Sequence, residues 1–470
     1  MRTDLPELPP AQPRGAPITV DFEGRAIRAF EGEPVAVALH AAGIKVLGRS
    51  SKYHRPRGLF CLEGHCASCY LRIDGRPNRR ACMTPAAAGL RCERQNAFPS
   101  ADVDLLHAAD WLFPEGMDHH TMMTGTRVMN RLFLKLVRQM GGSGTLPDAP
   151  AAALESAGQD PSAIEVPDLC VVGGGPAGLA AARAFAEATP GTQVVLFDEQ
   201  AAPGGSLLAT AGGGARALSL TAAAERAGVR VQPAATAIAF FPEDDGVLAV
   251  VTPAGLRRIA ARRFLYATGA YDQNLAFADN DRPGVVSARA CGRLAFQYGV
   301  RPVPAGQRVV VLAATAATGA AELAQALSAA GVEVELVEVA GDLDGAPGTG
   351  ADRGHGARVI GARGARAVRG VEIADGAPER VTRVLAADLV AVAALPAPAS
   401  ELPRQHGAEA ALDPARGGFA VAVDAGYRTS APRVYACGDV TGFAGWSAAL
   451  RAGEAAGRAI AADAGPEPRP

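Results

Sequence analysis

Cys61, Cys66 and Cys69 are spaced C-x4-C-x2-C, and Cys82 follows closely, so half of the chain's 8 cysteines fall in one short stretch. This is the loop spacing of a plant-type [2Fe-2S] site. Two irons bridged by two sulfides need four thiolates around a small diamond, and three from one loop require a backbone that curls around it. Gly64 stands where that curl needs positive φ or close approach of the backbone, which lets N–H groups reach the sulfides. The fourth ligand is Cys82 or Cys92. Cys82 is expected, because it follows a hairpin that would return it to the loop, whereas Cys92 lies in a less regular stretch. Zinc normally takes two C-x2-C pairs, and only one is present.

A second chemical signature begins near Asp168. Residues 169–172 read as a buried strand, Gly173-Gly174-Gly175-Pro176-Ala177-Gly178 is GxGxxG, and residues 179–188 form an Ala-rich helix. Gly173 permits the tight turn, Gly175 lets a pyrophosphate approach the backbone, and Gly178 lets helix and strand pack closely. The helix N-terminus offers N–H groups and partial positive charge to the phosphates. The next strand, 193–197, ends in Asp198-Glu199. Asp198 is expected to meet the adenosine ribose, with Glu199 as the alternative. Downstream, Ala267-Thr268-Gly269 resembles the strand-end motif of two-dinucleotide-fold flavoproteins. Arg433 to Gly438-Asp439 resembles their motif whose aspartate meets the flavin ribityl chain. Three motifs in this order imply FAD, held by Gly173, Gly175, Pro176, Ala177, Gly178, Asp198 or Glu199, Thr268, Gly269, Gly438 and Asp439. A helix at 447–462 would face the flavin pyrimidine with its N-terminus.

Some expected chemistry is missing. A strand at 308–312 runs into Ala313-Ala314-Thr315-Ala316-Ala317-Thr318, where alanine Cβ atoms occupy the turn and approach positions of a second nucleotide motif. This argues against NAD(P) binding and leaves the domain as a scaffold. Cys170, Cys291 and Cys437 are isolated, so no redox C-x-x-C pair faces the flavin. His119-His120 lack a nearby ligand pair and read as surface or packing residues. No substrate base is evident.

Gly48 to Gly58, the cysteine loop and Ala81-Cys82-Met83-Thr84-Pro85 together resemble the N-terminal [2Fe-2S] segment of the hydrogen cyanide synthase and sarcosine oxidase α-subunit superfamily. Members form amine and amino-acid dehydrogenase complexes. Ala267 to Tyr271 and Asn280 to Val285 resemble the same group, and the likeness covers most of residues 18–465. It implies an electron-transfer subunit of a heteromeric amine or amino-acid dehydrogenase or oxidase. Sarcosine, proline, hydroxyproline or glycine-like substrates would be oxidised on a partner flavoprotein β-subunit, and the resemblance also allows small accessory subunits. FMN at a subunit interface, as in some relatives, stays open. The sequence given runs to Pro470, without the long C-terminal folate-binding half of the sarcosine oxidase α-subunits it resembles. The alternative is a self-contained NAD(P)H-dependent FAD/[2Fe-2S] reductase. The basic run Tyr53-His54-Arg55 with Arg57 reads equally as a solvated loop or as a surface for a partner or a flavin phosphate.

The elements that must position these residues are legible in outline. Strands at 18–22 and 26–30, a helix at 34–42, the metal loop and a hairpin at 70–73 turning on Asp74-Gly75 fit an α+β β-grasp, ferredoxin-like domain at 17–100, after a disordered tail at 1–16. A helical connection and linker follow at 101–166, with an apolar stripe from Val128 to Met140 read as a helix packed between domains. Residues 167–290 and 395–470 form the FAD domain, and 291–394 a degenerate NAD(P)-type domain, giving an α/β two-dinucleotide-binding-domain flavoprotein fold. Residues 341–370, rich in Gly, Asp and Arg, read as a solvated excursion. With 20% charged residues and a net charge of −2, neither nucleic acid nor an anionic membrane is an expected partner. The Pro-rich start lacks a signal-peptide pattern and no segment is long and apolar enough to span a membrane, so a cytoplasmic location is expected.

Overall fold

The computed structural model describes residues 2, 14–112, 126–140, 163–243, 246–314, 319–339, 357–375 and 381–463. The readings of residues 3–13, His119-His120, most of the linker, the segment 315–318 and the first half of the 341–370 excursion lie outside these residues.

Near the N-terminus, Pro17–Phe22 pairs antiparallel with Arg25–Phe30 across Glu23-Gly24, both at positive φ. The sheet continues through Arg91–Glu93 and Tyr70–Ile73 to Arg76–Arg80. The central pairing of Pro17–Phe22 with Arg91–Glu93 is parallel, which needs a long crossover. The helix Val35–Ala41 and the cysteine loop lie in that crossover. The helix buries Val35, Val37 and Leu39 in the domain core. This is the β-grasp arrangement. Cys92 corrects the reading of an irregular stretch: it lies in the strand Arg91–Glu93 and is fully buried in the sheet.

Five parallel strands form the flavin sheet, in the order Val229–Gln232, Val194–Phe197, Leu169–Val172, Phe264–Tyr266 and Val434–Ala436. Its middle strands are buried along their whole length, as a sheet covered on both faces requires. Helices Pro176–Ala188 and Trp446–Asp463 pack closely because Gly453 and Gly457 face Ala177 and Ala181; a Cβ on either glycine would lie 2.1 or 2.3 Å from the facing carbonyl oxygen.

A second parallel sheet runs Val285–Ser287, Leu389–Ala393, Arg308–Ala313, Glu333–Glu338. The chain therefore enters this sheet before residue 291, because Val285–Ser287 already pairs with Leu389–Ala393. Arg358–Arg363 joins a three-stranded antiparallel sheet with Ala362 buried, so part of the Gly-rich excursion is core-bearing structure. The helix Arg127–Met140 forms where its apolar stripe predicts, and at the described positions of that stripe Val128, Met129 and Leu132 are 68%, 53% and 59% exposed. The 3.6-residue pattern marks an apolar face without saying what covers it. No described helix is long and apolar enough to cross a membrane.

Candidate functional site

The cysteine loop curls through three residues at positive φ: Leu62 at 55°, Gly64 at 92° and Ala67 at 57°. Gly64 is required twice, since a Cβ there would also lie 2.8 Å from Met83 Cγ. Its carbonyl accepts from Arg80 Nη1 at 2.7 Å, and the returning segment is tied by Ala81 N donating to Cys69 O at 3.0 Å. These ties bring Cys82 to the loop. Neighbouring Cys66 and Cys82 hold the Cys61 thiol far below its ordinary value, and Cys82 lowers Cys69; Cys66 and Cys82 are raised correspondingly. Cys61, Cys69 and Cys82 are buried and Cys66 is half-buried. Among the described residues no group of three or more His, Cys, Asp or Glu side chains is placed to hold a metal ion. Cys92 stands apart in its strand, where burial, with Asp74 and Asp21, pushes its thiol up to about 12.

At the other motif, Gly173 has φ 106°, and a Cβ there would lie 2.3 Å from Ala267 O; one on Gly178 would lie 1.9 Å from Gly173 O. The bare backbone leaves a cavity of about 580 Å³ whose lining includes Gly173, Gly175, Pro176, Ala177, Thr268, Gly269 and Asp439. A glycine-rich helix start opening on a cavity of this size suits a dinucleotide. Asp198 is buried and accepts from Gly174 N at 2.6 Å and Gln200 N at 2.7 Å. Burial pushes its carboxyl up to about 6, against those two hydrogen bonds. Thr268 Oγ1 donates to Ala399 O at 2.8 Å, so it braces the cavity wall. Gly438 has φ 79°, and Asp439, raised by burial, accepts from Ala444 N at 3.1 Å ahead of the last helix.

The two motifs meet. Glu63 and His65, inside the cysteine loop, line the same cavity as the glycine motif. His65 Nε2 is 3.1 Å from Glu199 Oε1, and Gln200 Nε2 donates to Glu63 O at 3.1 Å. Glu63 also pairs with Arg293, and Arg289 lies 3.9 Å from it while pairing with Asp272. Burial alone would raise the Glu63 carboxyl, but Arg293 and Arg289 hold it below the usual range. The sequence reading missed Glu63, His65, Arg289 and Arg293. One signal was present: a carboxylate inside a thiolate loop calls for a cation to meet it.

The family described as 2Fe-2S iron-sulfur cluster binding domain matches residues 15–97, and that described as pyridine nucleotide-disulphide oxidoreductase matches residues 167–453, more than half of the chain. The chain belongs to the pyridine nucleotide-disulphide oxidoreductase family. It is a member with its own [2Fe-2S] domain, and its cofactors are FAD and a [2Fe-2S] cluster. A sarcosine oxidase subunit alpha of Rhizobium meliloti is 34% identical over 416 residues, 81% of this chain and 40% of the relative. The hydrogen cyanide synthase subunit HcnA of Pseudomonas aeruginosa is 38% identical over 81 residues, 17% of this chain and 77% of that subunit. The chain thus spans less than half the length of the sarcosine oxidase subunits it matches. Among solved structures, an L-proline dehydrogenase from P. horikoshii matches with a TM-score of 0.68 at 21% identity, over 96% of this chain and 74% of that one. A T. acidophilum thioredoxin reductase matches at 0.50 and 22%, over 64% and 99%. These structures share the oxidoreductase's fold.

Proposed function

We propose that this chain is the electron-relay subunit of a heteromeric amine or amino-acid dehydrogenase or oxidase. Its partner flavoprotein oxidises a sarcosine-, proline-, hydroxyproline- or glycine-like substrate. In this reading Cys61, Cys66, Cys69 and Cys82 hold the cluster. FAD lies along the glycine motif, with Asp198 at the ribose and Asp439 at the ribityl chain. When bound, the pair of groups converts two-electron chemistry at the flavin into one-electron flow at the iron. The observation that carries the reading is the shared wall: Glu63 and His65 of the cysteine loop line the cavity that Gly173 and Gly175 open. The chain's own residues hold the cavity lining in place, Asp198 by accepting from the Gly174 amide and Thr268 by donating to the Ala399 carbonyl.

Purification of the tagged chain from its native host tests this directly. A co-purifying flavoprotein and amino-acid oxidation only by the assembled pair are expected. Full-rate oxidation of proline, sarcosine or glycine by the isolated chain would sink the proposal, as would rapid flavin bleaching by anaerobic NADH or NADPH. The second result would favour a self-contained reductase.

A further inference from the structure

Glu63 and Arg293 lie 230 residues apart in sequence and are 8% and 2% exposed, so two full charges meet away from water. Removing one partner of such a pair leaves the other charge buried and uncompensated, whereas replacing both with apolar groups is often harmless. The best-attested use of a buried ion pair is therefore to set registry.

The contacts of Arg293 are arranged for registry. Nη2 donates to Glu63 Oε1 in the cysteine loop and to Gly205 O at 3.0 Å, and Nη1 donates to Gln297 Oε1 at 3.0 Å. Gly205 rests on the phosphate turn of the flavin motif, so closely that a Cβ there would lie 2.8 Å from Gly175 Cα. Glu63, at the other end, donates its backbone N–H to Cys61 Sγ at 3.4 Å. One guanidinium thus touches the loop carrying the thiols and the turn lying against Gly175. Its own position is firm. Arg293 opens the wide turn Arg293–Gln297 after the short helix Ala288–Gly292, and Gly292 sits so close to Ala209 that a Cβ would lie 2.1 Å from its carbonyl oxygen.

We propose that Arg293 is a positioning residue that holds the cysteine loop through Glu63 and the Gly205 turn through its carbonyl, fixing the cluster site and the flavin cavity in one relative register. The idea rests on the relay reading, in which that register sets the flavin-to-cluster separation. A planar, forked donor suits the task, since one group bonds two acceptors at fixed angles, which a lysine ammonium does not.

The test uses the full chain carrying iron, sulfide and FAD, with Arg293→Lys, Arg293→Met and Glu63→Gln. Arg293→Lys is expected to retain wild-type cofactor content. In it, amide hydrogen exchange should quicken together in peptides covering 60–69 and 203–209, and the EPR line shape of the reduced cluster should broaden. Transfer from photoreduced flavin to the cluster should slow by about 10–100-fold, the usual scale for a lost outer-shell partner. Arg293→Met and Glu63→Gln should exceed that effect; if either fails to load cofactor, exchange is compared between apo wild type and apo variant. Unchanged exchange in both segments with a wild-type EPR line shape in Arg293→Lys would overturn the proposal, and so would quickening confined to 60–69. If wild-type flavin passes no electrons to the cluster, the relay reading fails, while the paired exchange readout still decides the role of Arg293.

Discussion

His65 Nε2 stands 3.1 Å from Glu199 Oε1, so a side chain between two cysteines of the loop is paired with the carboxylate one residue beyond Asp198. That pairing divides the labour of the adjacent acids: Glu199 faces the iron–sulfur domain, and Asp198 stays with the glycine turn. FAD affinity of the apo-protein, measured by fluorescence titration, should therefore fall about 10–100-fold in Asp198→Asn, the loss of a charge-assisted hydrogen bond. Glu199→Gln should change it by no more than about twofold. Equal losses in both variants would contradict the division.

Asp198 also sets a pH dependence. Burial raises its carboxyl from 3.8 to about 6, so the folded apo-protein holds a proton that the unfolded chain has released between these values. Its stabilising contribution is complete below the unfolded value and is lost as pH rises through about 6. Relative to wild type, apo Asp198→Asn should gain about 2–3 kcal/mol on going from pH 4 to pH 7. Thermal melts of both proteins at the two pH values read this difference directly. A constant gap between the two curves would count against it.

Cys82 and Cys92 should part company on substitution. Cys82→Ser is expected to abolish the visible and EPR signatures of the cluster and to lower iron and labile sulfide together. Cys92→Ser should keep all of these and cost about 1–3 kcal/mol of stability, because a hydroxyl replaces a thiol at a fully buried strand position. A Cys92→Ser protein without iron would reverse the ligand assignment.

Gly453→Ala should lower the melting temperature through the flavin domain. Its new Cβ would meet Ala177 O at 2.1 Å, and both are held on long helices, so the helices must separate at a cost of about 1–3 kcal/mol. Because Ala177 belongs to the glycine motif, FAD retention on gel filtration should fall as well. A fully loaded variant with an unchanged melt would show that the helices part freely.

The parts of this site legible in the sequence were those encoded locally. The Cys61–Cys69 loop and the turn from Gly173 to Gly178 each carry their reason within a few residues: thiol spacing in one, glycines at unavoidable close approaches in the other. Glu63 with Arg293, and His65 with Glu199, depend on how separate domains meet, and no periodicity in either segment encodes that. Cys92 was misread because the strand Arg91–Glu93 is too short to show alternation. The stripe of Arg127–Met140 predicted the helix but not the exposure of Val128, Met129 and Leu132, since an amphipathic face is the same whether the chain itself or another molecule covers it.

The fifth strand of the flavin sheet, Val434–Ala436, and the helix Trp446–Asp463 behind it come long after the glycine motif in the chain, while the cluster domain closes its own sheet by Arg91–Glu93. During synthesis, when amino-terminal domains fold first, the cysteine loop can thus be complete while the flavin sheet still lacks its edge strand. Iron–sulfur insertion can accompany translation, but flavin capture must wait until residues 434–463 have left the ribosome. A truncation ahead of residue 434 would then yield a chain coloured by its cluster alone.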